Sequence, residues 1–121
     1  MESILIVDDD VNLCTVLSEE LAEVGYKTYF LTDGIEVLDY LRSHQVDLIL
    51  LDLKMPVKDG YDVLTELIES HIDVRIIVLT AYADVQSAID SAKLGASDFI
   101  SKPYDFDELL ITIRKVVQRE V

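Results

Sequence analysis

The feature that most constrains this chain is the stretch Val46 to Pro56, V-D-L-I-L-L-D-L-K-M-P, in which four Ile and Leu residues run straight into a carboxylate. Leu48 to Leu51 is too short to cross a membrane, and it lacks the polar alternation of a strand with one wet face. An unbroken apolar run of this length reads as a strand covered on both faces, and such strands are usually parallel and central. An aspartate inside a dry strand would be costly, so Asp52 is expected at the strand's end, where the chain surfaces. Met55-Pro56 stops the strand, since proline cannot donate to a ladder. Taken alone, Asp52 could be no more than a turn cap.

Three further apolar runs end in the same style. Ser3 to Val7 leads into Asp8-Asp9-Asp10, Arg75 to Leu79 into Thr80-Ala81, and the shorter Asp98 to Ser101 into Lys102-Pro103. As parallel strands of one sheet, these runs would end along one edge, and ligands of open α/β sheets bind at that carboxyl edge. Acids, a hydroxyl and an ammonium would then face one another.

Between the strands the spacing changes to that of helices. Cys14, Leu17, Leu21 and Val24 mark a first helix closed by Gly25, a left-handed C-cap. Lys27 to Leu31 is a strand whose Lys27 and Thr28 suit a sheet edge. Ile35, Leu38 and Leu41 mark a second helix after the Asp33-Gly34 turn. Leu64, Leu67 and Ile68 mark a third after Asp59-Gly60. Ala88, Ile89 and Ala92 mark a fourth, capped by Asp84 and ended by Gly95. Phe106, Leu109, Leu110, Ile113, Val116 and Val117 mark the last. Five repeats of strand then helix predict one domain, residues 1–121, with a parallel sheet covered on both faces. The fourth helix offers mainly alanines to the core, so it is expected to be held less tightly than the others.

Composition excludes whole classes of function. Half of the 121 residues are hydrophobic, which argues against disorder. The net charge of −14, from 24 acids against 10 bases, repels nucleic acid and anionic membranes, so direct DNA binding by this chain is not expected. A cation or a partner with a basic face fits better. The N-terminus lacks the basic start and long apolar core of a signal peptide. A single cysteine, Cys14, allows no internal disulfide and fits a reducing cytoplasm, where it serves as a small core residue. His44 and His71 lie beside turns without an evident partner.

The sheet edge carries the chemistry. Asp8, Asp9 and Asp52 together repel one another unless a cation or proton joins them. Hard oxygen ligands open to water fit Mg²⁺, with Mn²⁺ as the alternative, and not zinc, which takes Cys and His. Adjacent residues leaving a strand diverge, so Asp9 is expected to ligate directly, Asp8 through water, and Asp10 to cap the first helix. A transferred phosphoryl group spreads charge over three oxygens. Mg²⁺, the Thr80 hydroxyl and the Lys102 ammonium would take one oxygen each, with Asp52 as the nucleophile that forms an aspartyl phosphate.

Over essentially its whole length the chain resembles the receiver domain of two-component response regulators, the CheY-like superfamily. The match rests on the acidic pair Asp8-Asp9, D-L-K-M-P-x-x-D-G from Asp52, T-A at Thr80 and K-P at Lys102. The resemblance implies a flavodoxin-like (βα)5 three-layer sandwich with strand order 2-1-3-4-5. It implies Asp52 as phosphoacceptor, Asp8, Asp9 and Asp52 as metal ligands with the backbone carbonyl of Lys54, and Thr80 and Lys102 as the phosphoryl-sensing pair. Phe99 becomes the switch aromatic. Lys54 and Tyr82 look like the pair found in sporulation-type phosphorelay receivers, where they would tune the lifetime of the phosphate. The stretch from Thr80 to Pro103 resembles receivers of the NtrC type, which precede ATP-driven, DNA-binding activators.

On this reading the chain is a cytoplasmic switch and not an enzyme with a separate substrate. Its phosphoryl donor is a sensor histidine kinase or histidine phosphotransfer protein, and its output face is the fourth helix, fifth strand and fifth helix. An attached effector, a relay protein or a phosphorylation-dependent second copy would receive the signal. A flavodoxin-like redox protein would need phosphate-binding donors where Asp8-Asp9-Asp10 stand. A phosphohydrolase of the haloacid dehalogenase type would want an acid at Lys54 and a substrate cap. A module that only docks proteins would not need the full set of acids, Thr80 and Lys102.

Overall fold

The computed structural model describes residues 2–118. The expected domain, residues 1–121, also takes in Met1 and positions 119–121, which lie outside the described residues. Strands and helices alternate: β1 (Ser3–Val7), α1 (Val11–Glu23), β2 (Lys27–Leu31), α2 (Val37–Ser43), β3 (Leu48–Leu51), α3 (Gly60–Glu69), β4 (Arg75–Thr80), α4 (Val85–Lys93), β5 (Asp98–Ser101) and α5 (Phe106–Val117). All pairings are parallel and the order is β2-β1-β3-β4-β5. Leu48–Leu51 is therefore the central strand, and every residue of it is buried.

Alternation along the strands sorts the core into two slabs. Ile4, Ile6, Leu48, Leu50, Ile77 and Leu79 point to one face and meet α1 and α5 through Cys14, Leu17, Leu21, Leu109, Ile113 and Val116. Leu5, Val7, Ile49, Leu51, Ile76 and Val78 point to the other and meet α2 and α3 through Val37, Val63, Leu64 and Leu67. β2 is an edge strand with no fully buried residue, as its mixed composition requires. No helix among the described residues is long and apolar enough to cross a membrane.

The helix signals hold, with corrections at the ends. Asp10, Asp59, Asp84 and Asp105 each accept a hydrogen bond from a first-turn N–H of the helix they cap. Gly25 and Gly95 take the left-handed conformation, at φ 105° and 97°, which costs glycine little. Val24 is the C-cap of α1 and stands exposed. Ile35 precedes α2 and is also exposed, since Asp33 turns the chain by accepting from the Ile35 N–H at 2.9 Å. In α3 the third inward residue is Val63, and Ile68 faces water. In α4 the inward residue is Ser91, whose hydroxyl donates to the Ala88 carbonyl at 3.2 Å, while Ile89 and Ala92 are exposed. α4 thus buries no large apolar side chain, which is the premise of its expected loose hold, and its inward face is shifted.

Candidate functional site

Backbone hydrogen bonds carry the ladders one residue past the strand ends. The Asp8 N–H donates to Leu31 O at 3.1 Å, the Asp52 N–H to Val7 O at 3.0 Å and the Lys102 N–H to Thr80 O at 2.9 Å. Asp8, Asp52 and Lys102 consequently leave the same edge of the sheet, with the end of β4 at Thr80 between Asp52 and Lys102. The start of α3 is pressed against the same edge, because the Gly60 N–H donates to Leu53 O at 2.9 Å. Only glycine permits that approach, since a Cβ there would lie 2.4 Å from the Asp52 carbonyl oxygen. Asp59 and Asp62 form a reciprocal capping box around this glycine, which satisfies two orphan helix donors.

Two of the three acids are dry. Asp8 is 2% exposed and Asp52 5%, whereas Asp9 is exposed. Lys102 Nζ donates to Asp8 Oδ2 at 2.7 Å and reaches Asp52 Oδ2 at 3.4 Å. The other Asp8 oxygen, Oδ1, accepts from the Asp10 N–H at 3.0 Å, and the Asp8 carbonyl accepts from the Cys14 thiol. Burial pushes the Asp8 carboxyl above the ordinary carboxylate value, further than the hydrogen bond and charge of Lys102 pull it down. Burial would lower Lys102, yet its hydrogen bond to Asp8 and the charges of Asp8 and Asp52 outweigh it, leaving the ammonium above the ordinary lysine value. At 2.7 Å the Lys102–Asp8 contact has the length of a charge-assisted hydrogen bond.

Ligand oxygens of Asp8, Asp9 and Asp52 lie within 4.8 Å of one another. A cluster of carboxylates with no Cys or His donor suits a hard divalent cation such as Mg²⁺. Among the described residues none donates a hydrogen bond to the Asp9 carboxylate, which is open to water and so could ligate an ion directly. Both Asp8 oxygens already accept hydrogen bonds, from Lys102 and from the Asp10 N–H.

The remaining expected residues surround this edge. Thr80 is fully buried and its hydroxyl oxygen accepts from the Tyr82 N–H at 3.2 Å. Phe99 is half-buried and packs on the α2–α3 slab. The Lys54 ammonium lies 5.3 Å from the centroid of the Tyr82 ring, a cation–π contact at the mouth of the site. Its backbone N–H lies 3.4 Å from Asp52 Oδ1. Sequence reasoning brought these residues to one edge but missed the Lys102–Asp8 pairing and the close approach of Gly60. It also missed Tyr104, whose hydroxyl donates to Glu20 Oε1 at 2.7 Å across 84 positions, a pair with no local signature. His44, expected to lack a partner, stacks on Tyr40 at 4.1 Å, away from this edge.

Comparison with known proteins agrees with this geometry. The model of the response regulator receiver domain matches residues 4–114. The chain is 35% identical over 114 residues to the transcriptional regulatory protein ZraR of Klebsiella oxytoca, covering 94% of this chain and 26% of that protein. It is equally, 35%, identical to the sporulation initiation phosphotransferase F of Bacillus subtilis, covering 94% of this chain and 92% of that protein. The chain thus spans about a quarter of the one relative and nearly all of the other. The receiver domain of the Francisella response regulator 1452 superposes with a TM-score of 0.92 at 29% identity, covering 98% of each chain. The response regulator TrrA of Thermotoga maritima, solved in complex with Mg(2+)-BeF, superposes with a TM-score of 0.85 at 37% identity over 96% of this chain and 99% of its own.

Proposed function

The chain belongs to the response regulator receiver domain family, a phosphoacceptor switch of two-component signalling, and we propose that Asp52 is the residue phosphorylated. The observation that carries the assignment is the buried Asp52 carboxylate at the end of the central strand, with the Lys102 ammonium 3.4 Å away and two further acids beside it. The phosphoryl group comes from the phosphohistidine of a sensor kinase or phosphotransfer protein. The P–N bond to the imidazole breaks, and a P–O bond to an Asp52 oxygen forms. Lys102 turns from Asp8 to a phosphoryl oxygen, and the Thr80 hydroxyl, whose hydrogen is not used by its contact with Tyr82, donates to another.

Asp8, Asp9, Asp52 and the Lys54 carbonyl would hold Mg²⁺, or Mn²⁺ in its place. When bound, the ion supplies positive charge against the phosphoryl oxygens and relieves the repulsion among the acids. Lys54 and Tyr82, joined across the mouth, obstruct the in-line path of a hydrolytic water and so lengthen the life of the phosphate. Thr80 and Phe99 pass the change to α4, β5 and α5, where an effector, a relay protein or a second copy docks. The domain, residues 1–121, assists its own phosphorylation and dephosphorylation without turning over a separate substrate, and it works in the cytoplasm.

Acetyl phosphate with Mg²⁺ should add one phosphoryl group to the protein, read by intact mass. Asp52→Asn should abolish the addition. Equal uptake by Asp52→Asn would remove Asp52 from the assignment.

A further inference from the structure

Lys102 is the side chain that must change partners when Asp52 is phosphorylated, so what holds its loop sets where the ammonium can reach. On its N-terminal side the loop is fixed by the Lys102 N–H to Thr80 O bond at 2.9 Å. Pro103 follows, exposed and without an N–H to donate. The next fixed point is Tyr104. Its ring packs against the α1–α5 slab of the core, and its hydroxyl donates to Glu20 Oε1 at 2.7 Å. Burial and the Glu20 carboxylate push the phenol well above its ordinary value, so it keeps its proton and donates.

Glu20 is rooted in a rigid body. It sits in α1, which Cys14, Leu17 and Leu21 pin to the sheet and which starts directly after Asp8, Asp9 and its cap Asp10. One helix thus fixes the acid pair at its N-terminus and the lysine loop through Glu20. Beside the loop lies an open hollow of about 360 Å³ lined by Leu13, Ala81, Lys102, Pro103 and Tyr104. The loop therefore has room to shift on the Tyr104 side, and packing alone does not prevent it.

We propose that the Tyr104–Glu20 hydrogen bond is a strap that holds the β5–α5 loop against α1 and sets the reach of Lys102 toward the phosphoryl group, making both positioning residues. The proposal rests on the reading of Asp52 as phosphoacceptor. Without the strap, the ring and its loop move into the hollow and Lys102 meets the phosphoryl oxygens less often. The acids, fixed by β1, β3 and the start of α1, stay where they are.

The test is titration of beryllofluoride, in the presence of saturating Mg²⁺, into the wild type, Tyr104→Phe, Glu20→Ala and the double variant, with Mg²⁺ affinity and urea stability measured alongside. Tyr104→Phe removes one oxygen and keeps the ring. Losing one charge-assisted hydrogen bond should weaken beryllofluoride binding by about fivefold to tenfold. Glu20→Ala should match it, the double variant should be no worse than either, and Glu20→Gln, which retains an acceptor oxygen, should lose less than Glu20→Ala. Mg²⁺ affinity, which needs the acids and not Lys102, should move less than about twofold. Unchanged beryllofluoride affinity in Tyr104→Phe, whatever its stability, would overturn the strap. A parallel loss of Mg²⁺ affinity would also overturn it, by showing general damage to the site. A wild type that takes up no beryllofluoride would fell the phosphoacceptor reading itself, and the strap with it.

Discussion

Gly60 gives a sharp test of how closely α3 is fitted to the end of the central strand. A Cβ at this position would stand 2.4 Å from Asp52 O, 2.7 Å from Leu53 Cα and 3.1 Å from Asp52 C. All three are backbone atoms of the strand end, so no side chain can swing aside. Reaching ordinary contact requires a displacement of roughly 1 Å. That movement would stretch the Gly60 N–H to Leu53 O bond of 2.9 Å and disturb the Asp59–Asp62 capping box. Overpacking a tight site costs about 1–3 kcal/mol, and a weakened hydrogen bond adds about 1 kcal/mol. The better helix propensity of alanine returns at most about 1 kcal/mol. Gly60→Ala should therefore be destabilised by about 1–3 kcal/mol, read in urea as a lower midpoint at unchanged slope. Because the clash falls on the carbonyl of Asp52, beryllofluoride binding should weaken as well. Gly25 is the control: a Cβ there meets nothing within 4 Å, so Gly25→Ala should lose stability through its φ of 105° alone and leave beryllofluoride binding as it was. A Gly60→Ala protein as stable as the wild type, binding beryllofluoride equally, would refute the claim that α3 is wedged against the site.

Mg²⁺ should raise thermal stability by relieving the acid cluster, by about 2.7 kcal/mol at a hundredfold excess over its dissociation constant, and Asp9→Ala should lose that gain; an equal response in the variant would place the ion elsewhere. Replacing both Lys54 and Tyr82 with alanine should speed loss of phosphate from Asp52; an exposed cation–π contact of about 0.5–1 kcal/mol corresponds to a change of about two- to fivefold, and an unchanged lifetime would mean that the pair does not obstruct water. The Cys14 thiol, fully buried and pushed up to about 12 chiefly by that burial and also by Asp8 and Asp10, should resist a disulfide reagent in the native protein at neutral and mildly alkaline pH, and react only on unfolding. Since its folded value lies above the unfolded one, its contribution to stability is intact below the ordinary thiol value of 9.0 and is lost as the pH rises toward 12; rapid native labelling near pH 8 would contradict the burial.

The sheet was legible because its signals are strong and redundant. Each inner strand is a run of large apolar residues stopped by a polar one, and parallel order follows from the intervening helices. Asp10 and Asp84 as caps, and Gly25 and Gly95 as stops, were legible for the same reason, since each answers a need of the local backbone. What failed was the assignment of inward faces near helix ends. Val24, Ile35 and Ile68 keep the helical period of their neighbours but are exposed. Ser91 shows the converse. Its small side chain is buried and its hydroxyl is satisfied inside its own helix, so polarity did not keep it out. In the site, convergence of Asp8, Asp52, Thr80 and Lys102 could be read from the strand ends, but the partner of each atom could not. The Lys102–Asp8 and Tyr104–Glu20 bonds join residues 94 and 84 positions apart, and no local pattern announces them.

The uneven anchoring of the helices bears on where a change at Asp52 can travel. α3 begins against Asp52 itself, yet it buries Val63, Leu64 and Leu67. Each such side chain is worth about 1.5–3 kcal/mol in burial, so a rearranged hydrogen bond at its start cannot carry the helix away. α4 is capped by Asp84, two residues beyond Tyr82, and buries only Ser91, leaving Val85 and Ile89 exposed. Its start is tied to the site through the Tyr82 N–H, which donates to the same Thr80 oxygen that would turn toward a phosphoryl group. On its other flank Phe99 is half-buried and gains by moving inward. One hydrogen bond of about 1 kcal/mol is small against the packing of α3. Against the single small side chain that α4 buries it is large, so on the proposed reading phosphorylation of Asp52 would leave the α3 side in place and shift the α4–β5 side. On that reading, the side chains that make α4 weak as a core element would also suit it to report the state of the site.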